Sequence, residues 1–411
     1  MTQATPPAQY RLLSVEEAQE RILEGLEPLG AVELPLAEAL GRVLAQDIIA
    51  ARDVPPWANS AMDGYALRAS DLASTSLELP VSLVVQGTGA AGEPAQALLP
   101  GHTIRIMTGA PLPPGADTVV RFEDVYCVGD RVIFGKPERL GRNVRQAGED
   151  LQSGSLVLKR GCILRPQELG LIAATGIDTV LVGQQPRVAV MATGNEVVEP
   201  GQELQPGQIY NTNAVTNLAQ VARSGGIGIN LGVVRDEPEA ITRAIRRGLR
   251  QGVQLFVTSG GVSAGDYDLI KHMMLSQGEL DFWWINIKPG RPLAFGTLAG
   301  APIVALPGNP VAAFISFELF VRPAIIRLQG GVERERPVIR ARLAEAIKRK
   351  DGRRHYLRAR LHNGPDGLSA TLTGDQGSGI MSSLTAADAL VVIPESAQEL
   401  AAGTEVEVLL I

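Results

Sequence analysis

Three glycine-rich segments carry the spacing of ligand loops: Thr193-Gly194-Asn195-Glu196, Ser259-Gly260-Gly261-Val262-Ser263-Ala264-Gly265-Asp266 and Pro307-Gly308-Asn309-Pro310. Each follows an apolar, β-branched run. Glycine lets backbone N–H groups approach an anion closely, and a following helix start adds a favourable partial charge. One such loop is equally compatible with a plain strand-to-helix turn; three on one sheet point to a ligand rim at the carboxyl ends of the strands. Lys288-Pro289-Gly290-Arg291 places two cations on either side of a turn, where an ammonium and a planar guanidinium can clamp an oxyanion. The carboxylates within reach of these loops are Glu196, Asp236, Asp266 and Asp268, with Asp63 in Ser60-Ala61-Met62-Asp63-Gly64-Tyr65 further upstream. Carboxylates beside phosphate loops hold Mg2+ or stabilise loop ends. Asp236 and Asp268 could equally serve only the dipole of the helix that follows each.

The elements that must position these residues follow from periodicity. Ser14 and Glu17 form an S-x-x-E capping box, which predicts a helix over 15–26. Short β-branched runs at 81–85, 103–107 and 118–121, broken by turns, describe a β-rich insert. A helix over 167–175 is expected to rejoin the first one in space. From residue 187 the pattern alternates: strands at 188–191, 229–234, 254–258 and 303–306, helices near 214–223, 238–250 and 268–276. This predicts a parallel sheet with helices on both faces. A last helix over 311–328 has Asn309 as N-cap and Pro310 at its first position. Beyond Gly330 the chain returns to short strands.

Composition supports this frame. The 411 residues are 45% hydrophobic and 4% aromatic, with 45 glycines and 27 prolines, which suits several small-residue cores with many tight turns. The net charge of −6 and the near absence of aromatics among the basic residues of 334–360 argue against nucleic acid. That stretch holds eleven Lys or Arg against three acids and reads mostly as a solvated surface, with a few cations left to face an anion. Cys127 and Cys162 form no CxxC pair, and the four histidines lack ligand spacing. No leader-like start and no bilayer-length apolar run is present, so a cytoplasmic protein is expected.

Eight segments in order, SAMDGYA, IMTGAPLPPGAD, GEDLQSG, TGNE, GQIYNTN, SGGVSAGDYD, IKPGRPLAFG and LPGNPVAAF, resemble the molybdopterin molybdenumtransferase family, which includes the E domain of gephyrin. SAMDGYA together with PGNPVAA is the specific part. The resemblance implies a homodimer of four-domain subunits: a discontinuous helical domain (7–52 and 146–182), the β-rich insert (53–145), a doubly wound molybdopterin-binding α/β domain (183–330) and a C-terminal β barrel (331–411). It implies that molybdenum from molybdate enters molybdopterin-AMP with Mg2+-dependent release of AMP, the substrate coming from an upstream molybdopterin adenylyltransferase. The site would lie between the α/β domain of one subunit and the insert of the other, which contributes Asp63 and Thr108. By motif, Glu196, Asp236 and Asp268 serve the metal-dependent cleavage. Gly260, Gly261, Ser263, Lys288, Arg291, Arg353 and Ser378 receive molybdate or the pterin's anionic groups, and Pro307 and Pro310 shape the pocket. The chain departs from the pattern at Trp284, where a basic residue is common, and at Arg291, where Lys is. Adenylyl transfer to molybdopterin and a non-catalytic pterin-binding scaffold are the alternative readings.

Overall fold

The first helix starts where its capping box dictates: in α1 (Val15–Glu24) the Ser14 hydroxyl accepts from the Glu17 amide at 3.1 Å, and the Glu17 carboxylate accepts from the Ser14 amide at 2.9 Å. The computed structural model describes residues 12–260, 269–332 and 336–411. After α1 the chain runs out along an arm and returns beside itself. Ala31–Pro35 pairs antiparallel with Thr179–Gly183, Ile48–Ile49 with Leu156–Leu158, and Asn59–Ser60 with Val144–Arg145. Helix α2 (Pro166–Ala174) buries Ile172 against Leu44, Leu164 and Val180 in the arm's own core. It does not share a core with α1, whose Val15, Ala18 and Ile22 belong to the large cluster of the α/β region. The insert at the arm's end is a six-stranded sheet built on Gly64–Leu67, Val81–Gly89, His102–Ile106, Thr118–Arg121, Tyr126–Val128 and Arg131–Phe134.

The central sheet contains β1 (Arg187–Thr193), β2 (Ile227–Val234), β3 (Leu255–Ser259), β4 (Gly278–Trp284), β6 (Pro292–Leu298) and β7 (Ala301–Leu306), in the order β2-β1-β3-β7-β6-β4. Alternate residues of its strands enter different clusters: Val188, Val190, Leu255 and Val257 on one face, Ala189, Met191 and Phe256 on the other. Helix α3 (Thr212–Arg223) covers the first face, while α4 (Pro238–Arg250) and α5 (Leu269–Gln277) cover the second. Burying each large aliphatic side chain contributes roughly 1.5–3 kcal/mol, so this double-sided core dominates the fold. The expected all-parallel sheet holds only for the first four strands; β6 and β4 run antiparallel to their neighbours. The 292–306 hairpin, joined by a short turn, leaves no room for a crossover helix, so antiparallel pairing follows.

The helix expected over 311–328 is α6 (Pro310–Ser316), one π-helical turn (Phe317–Val321) and α7 (Arg322–Leu328). Pro323 has no N–H to give to residue 319, and a wider turn relieves the break. Beyond it, β8 (Val338–Leu343), β9 (Arg354–Gly364), β10 (Gly367–Leu372), β11 (Ala389–Ile393) and β12 (Glu405–Leu410) close into a five-stranded barrel through the β9–β11 pairing. The two-residue strand β5 (Ile287–Lys288), which belongs by sequence to the central sheet's last hairpin, adds parallel to β9 in the barrel.

Arg358 on β9 is fully buried. Its guanidinium donates to the carbonyls of Asp375, Gln376 and Gly377 at 3.2, 3.0 and 2.9 Å and to the Ser383 hydroxyl at 2.9 Å. Burial of so polar a group is tolerable only with such pairing. Arg358→Met leaves three carbonyls dry at a cost on the order of 3 kcal/mol. It is expected to lower the apparent Tm and to speed amide exchange in 375–378; calorimetry and hydrogen exchange check both, and unchanged protection there rejects the assigned role.

Candidate active site

The loops after β1, β3 and β7 converge, as their sequences predict. Gly194 has φ +147°, and a Cβ there would stand 2.7 Å from Glu196 Oε2, so the loop folds the Glu196 carboxylate back over the glycine. Gly260 has φ +89°, and a Cβ would reach the Thr193 carbonyl at 2.5 Å: only glycine lets the first two loops touch. Gly308 of the third loop faces Gly260, 3.8 Å from its own Cβ position. Asn213 at the start of α3 donates to the Gly308 carbonyl at 2.8 Å. Gly261, Ser263, Asp266 and Asp268 lie outside the described residues.

Glu196 and Asp236 follow the adjacent strands β1 and β2, whose last residues Thr193 and Val234 are in register. Although Asp236 is an exposed residue, partial loss of water around its carboxyl pushes the pKa up and the Glu196 charge pushes it further, against a Thr193 hydrogen bond that lowers it. The two carboxylates thus form an electrostatic pair. Among the described residues no cluster of three or more His, Cys, Asp or Glu could hold a metal. Two carboxylates do match the one or two that Mg2+ takes when phosphate oxygens and water complete its shell.

At the other side of Gly308 the chain enters α6 with Pro310 at its first turn. The expected N-cap, Asn309, makes no side-chain capping bond; the Val311 amide donates instead to the Ser378 carbonyl at 3.1 Å, from the loop that Arg358 holds. Ser378 is thereby fixed beside Pro307 and Pro310. The body of α6 also seats the Lys288–Arg291 turn, because a Cβ on Gly290, at φ +108°, would meet the Ser316 hydroxyl at 2.7 Å.

The cations gather on one carboxylate. Asp351 accepts from Arg353 at 2.8 Å, from His355 Nε2 at 2.8 Å and from Lys288 Nζ at 3.3 Å. Burial alone would raise the Asp351 carboxyl, but the bonds and charges of His355 and Arg353 outweigh it and hold it well below the usual carboxylate range. Burial pulls the His355 pKa down, and Arg349 and Lys288 oppose the upward pull of Asp351. Facing a carboxylate oxygen, His355 Nε2 is the donor of this bond. Lys288, Arg353, His355 and Gln376 line a cavity of about 690 Å³ together with Lys348, Arg349 and Lys350. The basic stretch is thus only partly a solvated face: Arg349, His355 and Arg358 are buried. Arg291 stands over the Trp284 ring, its guanidinium carbon 4.0 Å from the centroid, and loss of water with the nearby Arg353 charge lowers its pKa.

Asp63 and Thr108 form a separate pair. The Asp63 Oδ1 accepts from the Thr108 amide at 2.6 Å and hydroxyl at 2.8 Å, and these bonds hold its carboxyl below the ordinary value. Both are exposed on the insert, and among the described residues no hydrogen bond or ion pair links them to the loops of the central sheet. Asp351, His355 and Arg358 escaped sequence reasoning. The one available signal was that Asp351 is the sole acid between 346 and 360.

Glycine loops on a doubly covered sheet, flanked by a strand-paired barrel and an inserted β domain, define a multidomain α/β architecture. Residues 13–176 match the MoeA N-terminal region (domain I and II), 189–327 a probable molybdopterin binding domain, and 340–411 the MoeA C-terminal region (domain IV). The chain is 37% identical over 402 residues to the molybdopterin molybdenumtransferase of Haemophilus influenzae, covering 97% of this chain and 98% of that one. It is 37% identical over 404 residues to molybdopterin molybdenumtransferase 2 of Mycobacterium tuberculosis H37Rv, covering 96% and 98%. The crystal structure of the molybdopterin biosynthesis MoeA protein from Pyrococcus horikoshii OT3 superposes with a TM-score of 0.84 at 32% identity, covering 98% of this chain and 100% of that one. The chain belongs to the molybdopterin molybdenumtransferase family, whose members are enzymes of molybdenum cofactor biosynthesis.

The Glu196–Asp236 pairing has a consequence in solution. A raised carboxyl pKa means that the folded state holds the proton more tightly than the unfolded chain. The Asp236 contribution to stability is fully present below the unfolded-chain pKa and is lost as pH rises through the raised folded value. Glu196→Gln removes the like charge and is expected to bring the Asp236 pKa down and flatten this dependence. A carboxyl-carbon NMR titration reads it directly; an unmoved Asp236 pKa refutes the coupling.

Proposed function

We propose that this chain transfers molybdenum from molybdate to the dithiolene of molybdopterin-AMP, with Mg2+-dependent release of AMP. The observation that carries the reading is the pairing of opposite centres along one rim. The Glu196–Asp236 carboxylates stand at one end and the Lys288–Arg353–Arg291 cations at the other, joined by the Gly260, Gly308, Pro310 and Ser378 backbone. A divalent ion would be held by Glu196 and Asp236, with Asp268 as an expected third ligand, and would neutralise the phosphate oxygens of the adenylate. Lys288, Arg291 and Arg353 supply prepositioned positive charge for a tetrahedral dianion, with Ser378 beside them. Backbone at the half-buried Gly260 would receive the pterin's anionic groups, with Gly261 and Ser263 the expected continuation of that loop. The role requires no nucleophilic side chain.

The Asp63–Thr108 pair is exposed and separate from these loops within one protomer, which supports a homodimer in which a second copy completes the site. In the cytoplasm the substrate would come from a molybdopterin adenylyltransferase. The described helices include none long and apolar enough to cross a membrane.

The test mixes purified protein with molybdopterin-AMP, Mg2+ and molybdate and follows AMP release and protein-bound molybdenum together. Both are expected, with AMP release dependent on molybdate. Formation of molybdopterin-AMP from molybdopterin and ATP would instead identify an adenylyltransferase, and binding without conversion a carrier. Lys288→Ala removes a charge-assisted contact and is expected to raise the molybdate concentration for half-maximal AMP release by about tenfold or more. An unchanged molybdate dependence in that variant removes Lys288 from the anion site.

A further inference from the structure

Three cations belong to the rim, and two of them share a single carboxylate. Lys288 and Arg353 share Asp351 at 3.3 and 2.8 Å. Arg291 has no carboxylate among its described contacts, its Nε is buried without a hydrogen-bond partner, and Arg353 lies close enough to lower its pKa. What holds it is the indole face of Trp284, 4.0 Å from the guanidinium carbon. The hairpin fixes both residues. Trp284 stands in register with Pro292 across β4 and β6, the Ile285 amide donates to the Arg291 carbonyl at 3.0 Å, and Trp284 is 4% exposed. An aromatic face attracts a guanidinium without consuming any of its N–H donors, whereas a carboxylate would occupy two of them and cancel the charge. Asp351 cannot neutralise Lys288, Arg291 and Arg353 together, and Lys348, Arg349 and Lys350 line the same cavity as Lys288 and Arg353, so the cluster keeps a net positive charge suited to an oxyanion.

We propose that Trp284 is a positioning residue for oxyanion binding: its ring holds the Arg291 guanidinium on the Lys288–Arg291 turn and leaves the terminal N–H donors uncommitted for a tetrahedral dianion. This rests on the molybdate reading above. Trp284 acts through the Arg291 guanidinium, whose central carbon lies 4.0 Å from its ring centroid.

The experiment uses the full-length protein and two readouts, calorimetric binding of molybdate alone and the molybdate dependence of AMP release. Trp284→Leu keeps an apolar side chain but removes the ring and is expected to weaken molybdate binding and raise its KM by about tenfold. The rate at saturating molybdate and the affinity for molybdopterin-AMP should stay near wild type. Trp284→Phe should restore most of the loss. Because Trp284 is buried, Arg291→Lys serves as the second variant: it keeps the charge but loses the planar stack, so adding Trp284→Leu to it should cost far less than the same change alone. Additive losses, or a parallel fall in rate and in both affinities with a lowered Tm, overturn the proposal in favour of a purely structural tryptophan. A Trp284→Leu protein with unchanged molybdate KM overturns it while leaving the transferase reading intact. Absence of molybdate binding and of AMP release in the wild type overturns both.

Discussion

Cations repel, and several of them held in one place need a carboxylate between them. Asp351 resolves that constraint by accepting from Lys288, Arg353 and His355 at once. The Lys288 side chain is 52% exposed, so its ion pair adds little stability. Its effect is geometric: it ties a lysine on the central sheet's hairpin to an arginine and a histidine on the barrel. This is possible because Ile287–Lys288 pairs with β9, bringing Lys288 opposite His355. Asp351 is a single negative charge among several positive ones, so it orders the cluster without neutralising it.

The long helix from Pro310 to Leu328 then aligns this cluster with the rest of the rim. Its first turn takes the Ser378 carbonyl from the barrel, its second turn carries Ser316 against Gly290, and the preceding Gly308 meets Gly260. At the far end the Leu328 carbonyl accepts from Leu29 at 2.7 Å, and a Cβ on Gly183 would reach the Gln329 carbonyl at 1.9 Å, so the arm is seated on the same helix. The π-turn between the two halves buries Glu318, which pairs with Arg336 at 2.8 Å and accepts from Gln220 at 2.9 Å. Barrel, central sheet and arm therefore share one rigid reference.

Local signals made much of this legible. The Ser14–Glu17 capping box, the Pro238 helix start and the strand ahead of each glycine loop are short-range features, and each specifies one conformation. What the sequence concealed depends on non-local partners. An apolar run such as 292–298 is equally good in either strand direction, so the antiparallel edge was invisible. Arg358 looks like its charged neighbours until the 375–377 carbonyls are brought to it. A two-residue strand such as Ile287–Lys288 has no periodicity to detect. The glycine segments were readable as loops after strands; which residues of the basic stretch face inward was not, because β alternation fails wherever a strand bends to close a barrel.

The two ends of the rim share one physical property with opposite sign. At the carboxylate end, Glu196 raises the Asp236 pKa; at the cationic end, Arg353 lowers that of Arg291. Each centre holds like charges near one another, and glycine contacts, the α6 seat and the buried Arg358 fix the backbone beneath them. A cation at one end and an anion at the other would each relieve a repulsion as well as form contacts. Ligands that bind only the folded state shift its stability with their concentration. Under the proposed function, complementary charge supplied from outside the chain would complete a balance that the protein's own residues leave open.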